Sequence, residues 1–365
     1  MGCGAVRWQG ATTQWAPAHK EEQRGRRAAA QPMRVRSALT PLVNVVVGPN
    51  DNVHRRFLAS SSGQLPNLGL QKAPHEMAFL VRWLSRRPLW LLHWLGALLG
   101  WAAYLLSPSY RNRFRAQAAQ AGVAPAARRA AVAHAGRMVA ELPWLWLRPP
   151  GVDLAGRIEW QGGAALRAAH AQGRGVVLMT PHLGCFEVTA QALAQTYAAS
   201  LAPITVLYRP ARARWLRELM AEARQRPGLA TAPASLAGVR QMIRALRRGE
   251  VVGLLPDQVP PAGLGVWAPF FGRPAYTMTL AARLVQQTGA VPLLIWGERL
   301  PRGAGYAVRV SAFDEALPDD PQRQAESAAA VNRAMERLIA QCPQQYLWGY
   351  HRYKQPRALP DPLDR

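Results

Sequence analysis

Cysteine is scarce in this chain: Cys3, Cys185 and Cys342 are its only three in 365 residues. Their wide spacing builds neither a metal cluster nor a disulfide framework, so a disulfide-stapled secreted domain is excluded and a reducing compartment is the simplest setting. Acidic residues are also few. The 21 Asp and Glu stand against 45 Lys and Arg, a formal net charge of +24 at pH 7, and arginine far outnumbers lysine. Such an excess calls for an anionic partner: nucleic acid, a phospholipid surface or an acidic protein. No internal repeat is present, and long apolar runs are absent but for one.

That run lies near the N-terminal end of a segment beginning at Met77, "MAFLVRWLSRRPLWLLHWLGALLGWAAYLLSPSYRNRFR". Between Pro88 and Leu106 it carries no formal charge and one histidine, His93. Its length approaches the roughly 20 residues that cross a bilayer core. Arg82, Arg86 and Arg87 flank one side, and Arg111, Arg113 and Arg115 the other. Trp83, Trp90, Trp94, Trp101, Tyr104 and Tyr110 supply interfacial aromatics. No small-residue cleavage site follows, so the run is not a signal peptide. A single span and a basic, aromatic helix lying in the interface both fit, a buried core helix is the ordinary alternative, and arginine on both flanks leaves orientation open. Residues 77–112 are therefore read as a membrane anchor. Residues 1–76 are polar and rich in Gly, Pro, Ser and Arg without a sustained period, which predicts disorder or a non-native extension preceding a true start at Met77.

From residue 113 to about 356 the chain alternates. Residues 113–140 are Ala- and Arg-rich and helical in pattern, and "LPWLWLRPP" closes them with a further aromatic patch that is read as facing a membrane. Strands are expected at "GVVLMT", "ITVLY", "VVGLLP", "AVPLLIWG" and "YAVRVSAF". Helices are expected at "FEVTAQALAQTYAA", "ARARWLRELMAEARQ", "SLAGVRQMIRALRRG" (Ser235 as N-cap), "TMTLAARLVQQTG" (ending at Gly289) and "PQRQAESAAAVNRAMERLIAQC". Alternating elements with nearly all-apolar strands imply an α/β fold, a mainly parallel sheet flanked by helices on both faces. Residues 357–365 form a short tail.

In such sheets ligands sit beyond the carboxyl ends of the strands. His182 follows "GVVLMT" in "MTPHLGCFE", and Glu187 stands at or near the start of the next helix, with Gly184 at the turn between them. A carboxylate on one imidazole nitrogen fixes the tautomer and makes the other a better base. Alone the His-x-x-x-x-Glu spacing is weak, and a structural histidine at a strand end is its ordinary explanation. Three further stretches raise its weight. "VLYRP" ends a strand with Arg209, "LLPDQ" ends another with Asp257 and Gln258, and "APFFGRPAYT" reads as an aromatic loop leading into a helix. Each has an ordinary explanation (a solvated charge, a turn residue, a core plug at Phe270–Phe271), but together they describe a cleft holding a base, a cation and a carboxylate.

The set "PHLGCFE", "VLYRP", "LLPDQ", "PFFGRPAYTMTLAARLVQQTGAVPLL" and "PQQYLWGYHRYKQP" resembles the late acyltransferases of lipid A biosynthesis, the lauroyl/myristoyl transferases of the lysophospholipid-acyltransferase superfamily. Order and spacing match from about Met77 to Pro356, and "QYLWGYHRYKQP" is the most family-specific part. Cys185, Gly349 and Tyr350 depart from the pattern, which leaves acceptor and chain length open rather than the chemistry. The resemblance implies a glycerolipid-acyltransferase-like fold with an N-terminal membrane anchor. It also implies acyl transfer from acyl carrier protein to a hydroxyl of a Kdo-lipid A precursor on the cytoplasmic face of a bacterial inner membrane. In that reading His182 is the base and Glu187 its orienting carboxylate. Arg209 or backbone amides near Gly184 stabilise the oxyanion, Arg209 alternatively holds a phosphate, and Asp257 and Gln258 bind substrate. No metal or organic cofactor is called for. Cys185 is a bystander, and His170 and His351 are structural, with an acceptor-site role open for His351. Anionic inner-membrane lipids and the acidic carrier protein are expected against Arg212, Arg214, Arg217, Arg247, Arg248, Arg352 and Lys354. The competing readings are an acyltransferase for a lyso-phospholipid or another glycolipid and a non-catalytic basic membrane protein. Nucleic acid is not an expected partner, since the chain has an apolar anchor and no recognisable binding motif.

Overall fold

The computed structural model describes residues 73–148, 154–197, 203–208, 217, 218, 220 and 226–357. By its internal packing the chain divides into Met1–Ala38 and Leu39–Arg365, and every described residue falls in the second unit. The stretch read as an extension lies outside the described residues, apart from positions 73–76, which open the first described helix.

Among the described residues five helices come first: α1 (Ala73–Ser85), α2 (Leu89–Leu106), α3 (Pro108–Gln120), α4 (Pro125–Ala140) and the short α5 (Leu142–Leu147). Pro88, Pro108 and Pro125 mark the starts of α2, α3 and α4, where proline's fixed φ and missing N–H do no harm. Helix α3 runs straight across the boundary expected at residue 112, and its Gln117 amide donates to the carbonyls of Trp348 and Tyr350 at 2.7 and 2.6 Å. The expectation that "LPWLWL" faces a membrane is corrected. Leu142, Leu145 and Trp146 of α5 are buried in the core, and Trp144 and Leu147, half-buried, pack against it, so the apolar side chains are taken up by the fold.

The sheet follows as β1 (Ile158–Gln161), α6 (Gly163–His170), β2 (Val176–Met179), α7 (Phe186–Tyr197), β3 (Ile204–Tyr208), β4 (Leu229–Pro233), α8 (Leu236–Arg247) and β5 (Val251–Leu254). The chain continues through β6 (Gly265–Phe270), β7 (Arg273–Met278), α9 (Leu280–Thr288), β8 (Val291–Arg299), β9 (Tyr306–Ala312) and α10 (Gln324–Gln341). Seven strands order as β1-β9-β8-β2-β5-β3-β4, all neighbours parallel except β8–β9. That pair is antiparallel because the chain returns at once through Leu300–Gly305, with Arg302 and Gly303 at positive φ. The expected mainly parallel α/β architecture is therefore what forms. The caps hold too: Ser235 accepts from the Gly238 amide at 3.4 Å, and Gly289 ends α9 at φ +69°. Of the helix expected over residues 211–225, only Arg217, Glu218 and Met220 fall among the described residues, and they are helical.

Strands β1 and β4 escaped the sequence reading. So did the hairpin β6–β7, which replaces the loop expected at "APFFGRPAYT". Its two-residue turn, Phe271–Gly272, has positive φ at both positions, the geometry that matches strand twist. Phe271 tolerates this where its N–H donates to Glu336 at 2.7 Å.

Alternation along the central strands fills two cores. Val176 and Leu178 of β2 enter one and Val177 and Met179 the other; Leu293 and Ile295 of β8 oppose Leu294 and Trp296 in the same way. Each fully buried aliphatic side chain contributes roughly 1.5–3 kcal/mol relative to exposure, so the sheet centre is the rigid part on which the strand ends are mounted.

Candidate active site

Strands β2 and β5 are adjacent and parallel, with Met179 opposite Leu254. His182 lies three residues past the first and Asp257 three past the second, so register alone delivers them to one level beyond the carboxyl edge. The Asp257 carboxylate takes both groups that His182 offers: the backbone N–H at 2.8 Å and the ring Nδ1 at 2.7 Å. Burial pushes the Asp257 carboxyl up, but His182, its two hydrogen bonds and Arg352 outweigh burial and hold it below the ordinary value. An ionised carboxylate on Nδ1 places the ring proton there and leaves Nε2 as the basic nitrogen. Nε2 receives the Gln258 side-chain amide at 2.9 Å. The Phe186 ring stands 4.8 Å from the imidazole, centroid to centroid.

The phenol of Tyr346 is buried near Asp257, and burial, and then this negative neighbour, push it well above its ordinary range. The Tyr350 hydroxyl accepts from the Val259 amide at 2.9 Å, just past Gln258.

The loop carrying His182 is clamped. Gly184 adopts φ +58°, and a Cβ there would stand 2.0 Å from the Gly297 carbonyl, so only glycine fits. Its N–H donates to the Gln345 carbonyl at 3.0 Å, and the Cys185 N–H donates to Gly297 at 2.7 Å. Both amides are thus spent inside the fold. The Gly184 carbonyl accepts from Arg299 Nη2 at 3.1 Å.

Arg299 and Glu141 form a buried pair that the sequence reading missed. Their side chains are 1% and 0% exposed. Arg299 reaches Glu141 through Nη2 at 2.5 Å and Nε at 2.8 Å, while His93 and Tyr306 also bond Glu141, at 3.1 and 3.2 Å. Burial raises the Glu141 carboxyl, but Arg299 more than offsets it and holds it at about 2. His134, beside Arg299 and Arg137, is lowered to about 3 by burial and then by those cations, and so is neutral. The one signal in the sequence was that Glu141 is the first acid after Glu76, placed before an apolar run.

The remaining candidates fall as follows. Glu187 is half-buried in the first turn of α7; the carboxylate on the His182 ring is that of Asp257, where the sequence reading placed Glu187. Arg209, Arg212 and Arg214 lie outside the described residues; β3 ends one residue before Arg209. Cys185 is buried, and burial first of all pushes its thiol well above the ordinary value, so it carries no thiolate at neutral pH. Arg352 is corrected from surface cation to buried brace: 2% exposed, it donates to Tyr276 O and Thr277 Oγ1 at 2.7 Å each and lies 4.9 Å over Phe270. Arg247, Arg248 and His351 are exposed, Arg248 paired with Glu250, and Lys354 is half-buried, 5.3 Å over the Tyr350 ring.

Residues 122–355 match the family model described as bacterial lipid A biosynthesis acyltransferase. Among similar proteins, the lipid A biosynthesis palmitoleoyltransferase of Escherichia coli (strain K12) is 25% identical over 214 residues, 58% of this chain and 66% of that one. The lipid A biosynthesis lauroyltransferase of the same organism is 29% identical over 228 residues, 62% of this chain and 70% of that one. The lipid A biosynthesis acyltransferase of Haemophilus influenzae is 27% identical over 192 residues, 53% of this chain and 58% of that one. The matched stretch thus spans close to two thirds of the length of these relatives.

Proposed function

Because the chain belongs to the bacterial lipid A biosynthesis acyltransferase family, we propose that it transfers a fatty acyl chain of lauroyl or myristoyl type from an acyl carrier protein thioester to a hydroxyl of a Kdo-bearing lipid A precursor. The work is placed at the cytoplasmic face of a bacterial inner membrane. The observation that carries this reading is the imidazole of His182, held through Nδ1 by the buried Asp257 carboxylate at the carboxyl edge of the sheet, within the matched stretch.

The acceptor hydroxyl displaces the Gln258 amide from Nε2 and gives its proton to that nitrogen. Asp257 holds the ring and offsets the charge of the imidazolium. The alkoxide oxygen attacks the thioester carbonyl carbon, and the tetrahedral oxyanion takes hydrogen bonds from Arg209 and the freed Gln258 amide. Collapse breaks the carbon–sulfur bond, the thiolate takes the proton back from Nε2, and an ester and a free thiol leave. Arg209, as a forked donor, also suits an acceptor phosphate. Glu187 is the second carboxylate of the site, in the first turn of α7. No metal or organic cofactor takes part in this scheme.

The test is an assay of the full chain with acyl carrier protein thioesters and a Kdo-lipid A precursor, with a lyso-phospholipid in parallel. Transfer to the lipid A precursor, abolished by His182→Ala with unfolding unchanged, is expected. Transfer to the lyso-phospholipid alone would overturn the acceptor, and full activity of His182→Ala would overturn the mechanism.

A further inference from the structure

We propose that α2 does not cross the membrane but lies along an anionic bilayer surface, its tryptophan stripe in the interface and its opposite side fixed to the catalytic domain. This goes beyond the acyl-transfer reading and stands without it.

Length permits a span: 18 residues at 1.5 Å rise come close to the thickness of a hydrocarbon core. Packing opposes one. The buried side of α2 carries Leu89, Leu92, His93, Gly96, Gly100 and Tyr104. Gly96 and Gly100 let its backbone touch that of α4. A Cβ on Gly100 would stand 2.3 Å from the Val132 carbonyl, and one on Gly136 only 1.9 Å from the Gly96 carbonyl. His93, in the second turn, bonds the buried Glu141, which holds Arg299 at the end of β8. At its start α2 rests on the β8–β9 turn, where a Cβ on Gly303 would meet the Trp90 nitrogen at 2.4 Å. A helix tied along its length to the domain cannot enter the bilayer alone. Taking α4 with it would carry Arg128, Arg129 and Arg137 into hydrocarbon.

The free side has the chemistry of a membrane interface. Trp90, Trp94, Leu98, Trp101 and Leu105 follow one another at helical spacing, each at least 36% exposed, and Phe79, Leu80 and Trp83 of α1 add to the same kind of surface. Tryptophan prefers the headgroup level to either water or hydrocarbon, and an in-plane helix pairs such a stripe with flanking cations. Arg82 and Arg86 are exposed before the helix, and Arg115 after it. From Met77 to Ala140 the sequence holds no acidic residue at all. That one-sided charge commits the face to anionic lipid rather than to a second copy of the chain, whose matching face would be equally positive.

Two measurements on the full chain test this. In a Cys3→Ser background, Ser85→Cys and Ser109→Cys put a thiol at each end of α2, and a membrane-impermeant maleimide is applied to intact and lysed spheroplasts. Identical behaviour of the two positions is expected; one reacting before lysis and the other only after it means a span and overturns the proposal. Separately, the Trp90→Ala/Trp94→Ala/Trp101→Ala variant is sedimented with phosphatidylglycerol vesicles and with phosphatidylcholine vesicles. At least tenfold weaker binding to the anionic vesicles, with unchanged unfolding, is expected. Unchanged binding, or loss of a dimer in place of lipid binding, overturns it.

Discussion

Replacing Glu141 by Gln removes one charge from the most buried ion pair among the described residues. The variant keeps the size of the side chain and one carbonyl oxygen, but its amide nitrogen then confronts guanidinium donors of Arg299, and the cation stays buried without a counter-charge. Breaking a pair of this kind costs about 3–5 kcal/mol, a large share of the roughly 5–15 kcal/mol that holds a domain folded. For a chain of this size the midpoint of thermal unfolding should fall on the order of 10 °C. Circular dichroism of the purified protein in urea and on heating reads this, and the double variant Glu141→Gln/Arg299→Met supplies the control. With both charges gone the double variant should be more stable than Glu141→Gln alone. The acid side of the profile adds an independent check. The Glu141 carboxyl is held at about 2, below its ordinary 4.5. Its contribution is therefore complete above the ordinary value and is lost as pH falls from there through about 2. Wild type should lose stability over that window more steeply than Glu141→Gln. A single variant within about 1 kcal/mol of wild type, or a double variant no more stable than the single, would refute the reasoning.

The other predictions concern the cleft. Asp257→Asn presents an amide that can donate to Nδ1, so the proton moves to Nε2 and the base is lost; kcat should drop by about 10²–10⁴ with folding intact, whereas Glu187→Gln, if that residue does not orient the ring, should retain far more, and steady-state kinetics of the two side by side decide which carboxylate orients His182. Gln258→Ala frees Nε2 in the resting enzyme but removes an oxyanion donor, so kcat should fall by about 10²-fold with KM little changed; an unchanged kcat would remove Gln258 from the transition state. Gly184→Ala forces a Cβ to 2.0 Å from the Gly297 carbonyl at φ +58°, which should lower stability by more than about 1 kcal/mol and abolish activity, read by unfolding and by product formation.

Periodicity made the architecture legible. Apolar runs of four to six residues separated by amphipathic helices specify a doubly covered parallel sheet, and strand ends locate the cleft. Ser235 and Gly289 punctuate helices through local geometry, and local geometry is readable. The hairpin was not, because Pro269 and Pro274 look like loop residues; they sit opposite each other in a two-stranded ribbon outside the main sheet, where a missing N–H does no damage. Pairing across the sequence was the other blind spot. His182 and Glu187 are neighbours in the chain, and that proximity suggested a dyad. His182 and Asp257 are neighbours only through the Met179–Leu254 register, which no single stretch of sequence contains. Glu141 and Arg299 were hidden for the same reason: each is unremarkable until the fold brings it to the other.

The closing motif "QYLWGYHRYKQP" ties the two loops of the cleft together. Leu183 bridges Tyr346, the Gly184 amide bonds the Gln345 carbonyl, and the Leu347 amide bonds the His182 carbonyl, so one side of the motif fixes the histidine loop. Tyr346 is buried near Asp257 and the Tyr350 hydroxyl accepts from the Val259 amide, so its other side holds the aspartate loop. Arg352 then pins the motif itself to Tyr276, Thr277 and Asn332 beneath. The 2.7 Å bond between His182 and Asp257 joins two separate strand ends, and its length is only as well defined as the brace between them. A dyad built this way constrains the residues that hold it more tightly than many that line the cleft, because a shift of 1 Å in either loop would part base from carboxylate, while a change in the lining alters only which acyl chain or acceptor fits.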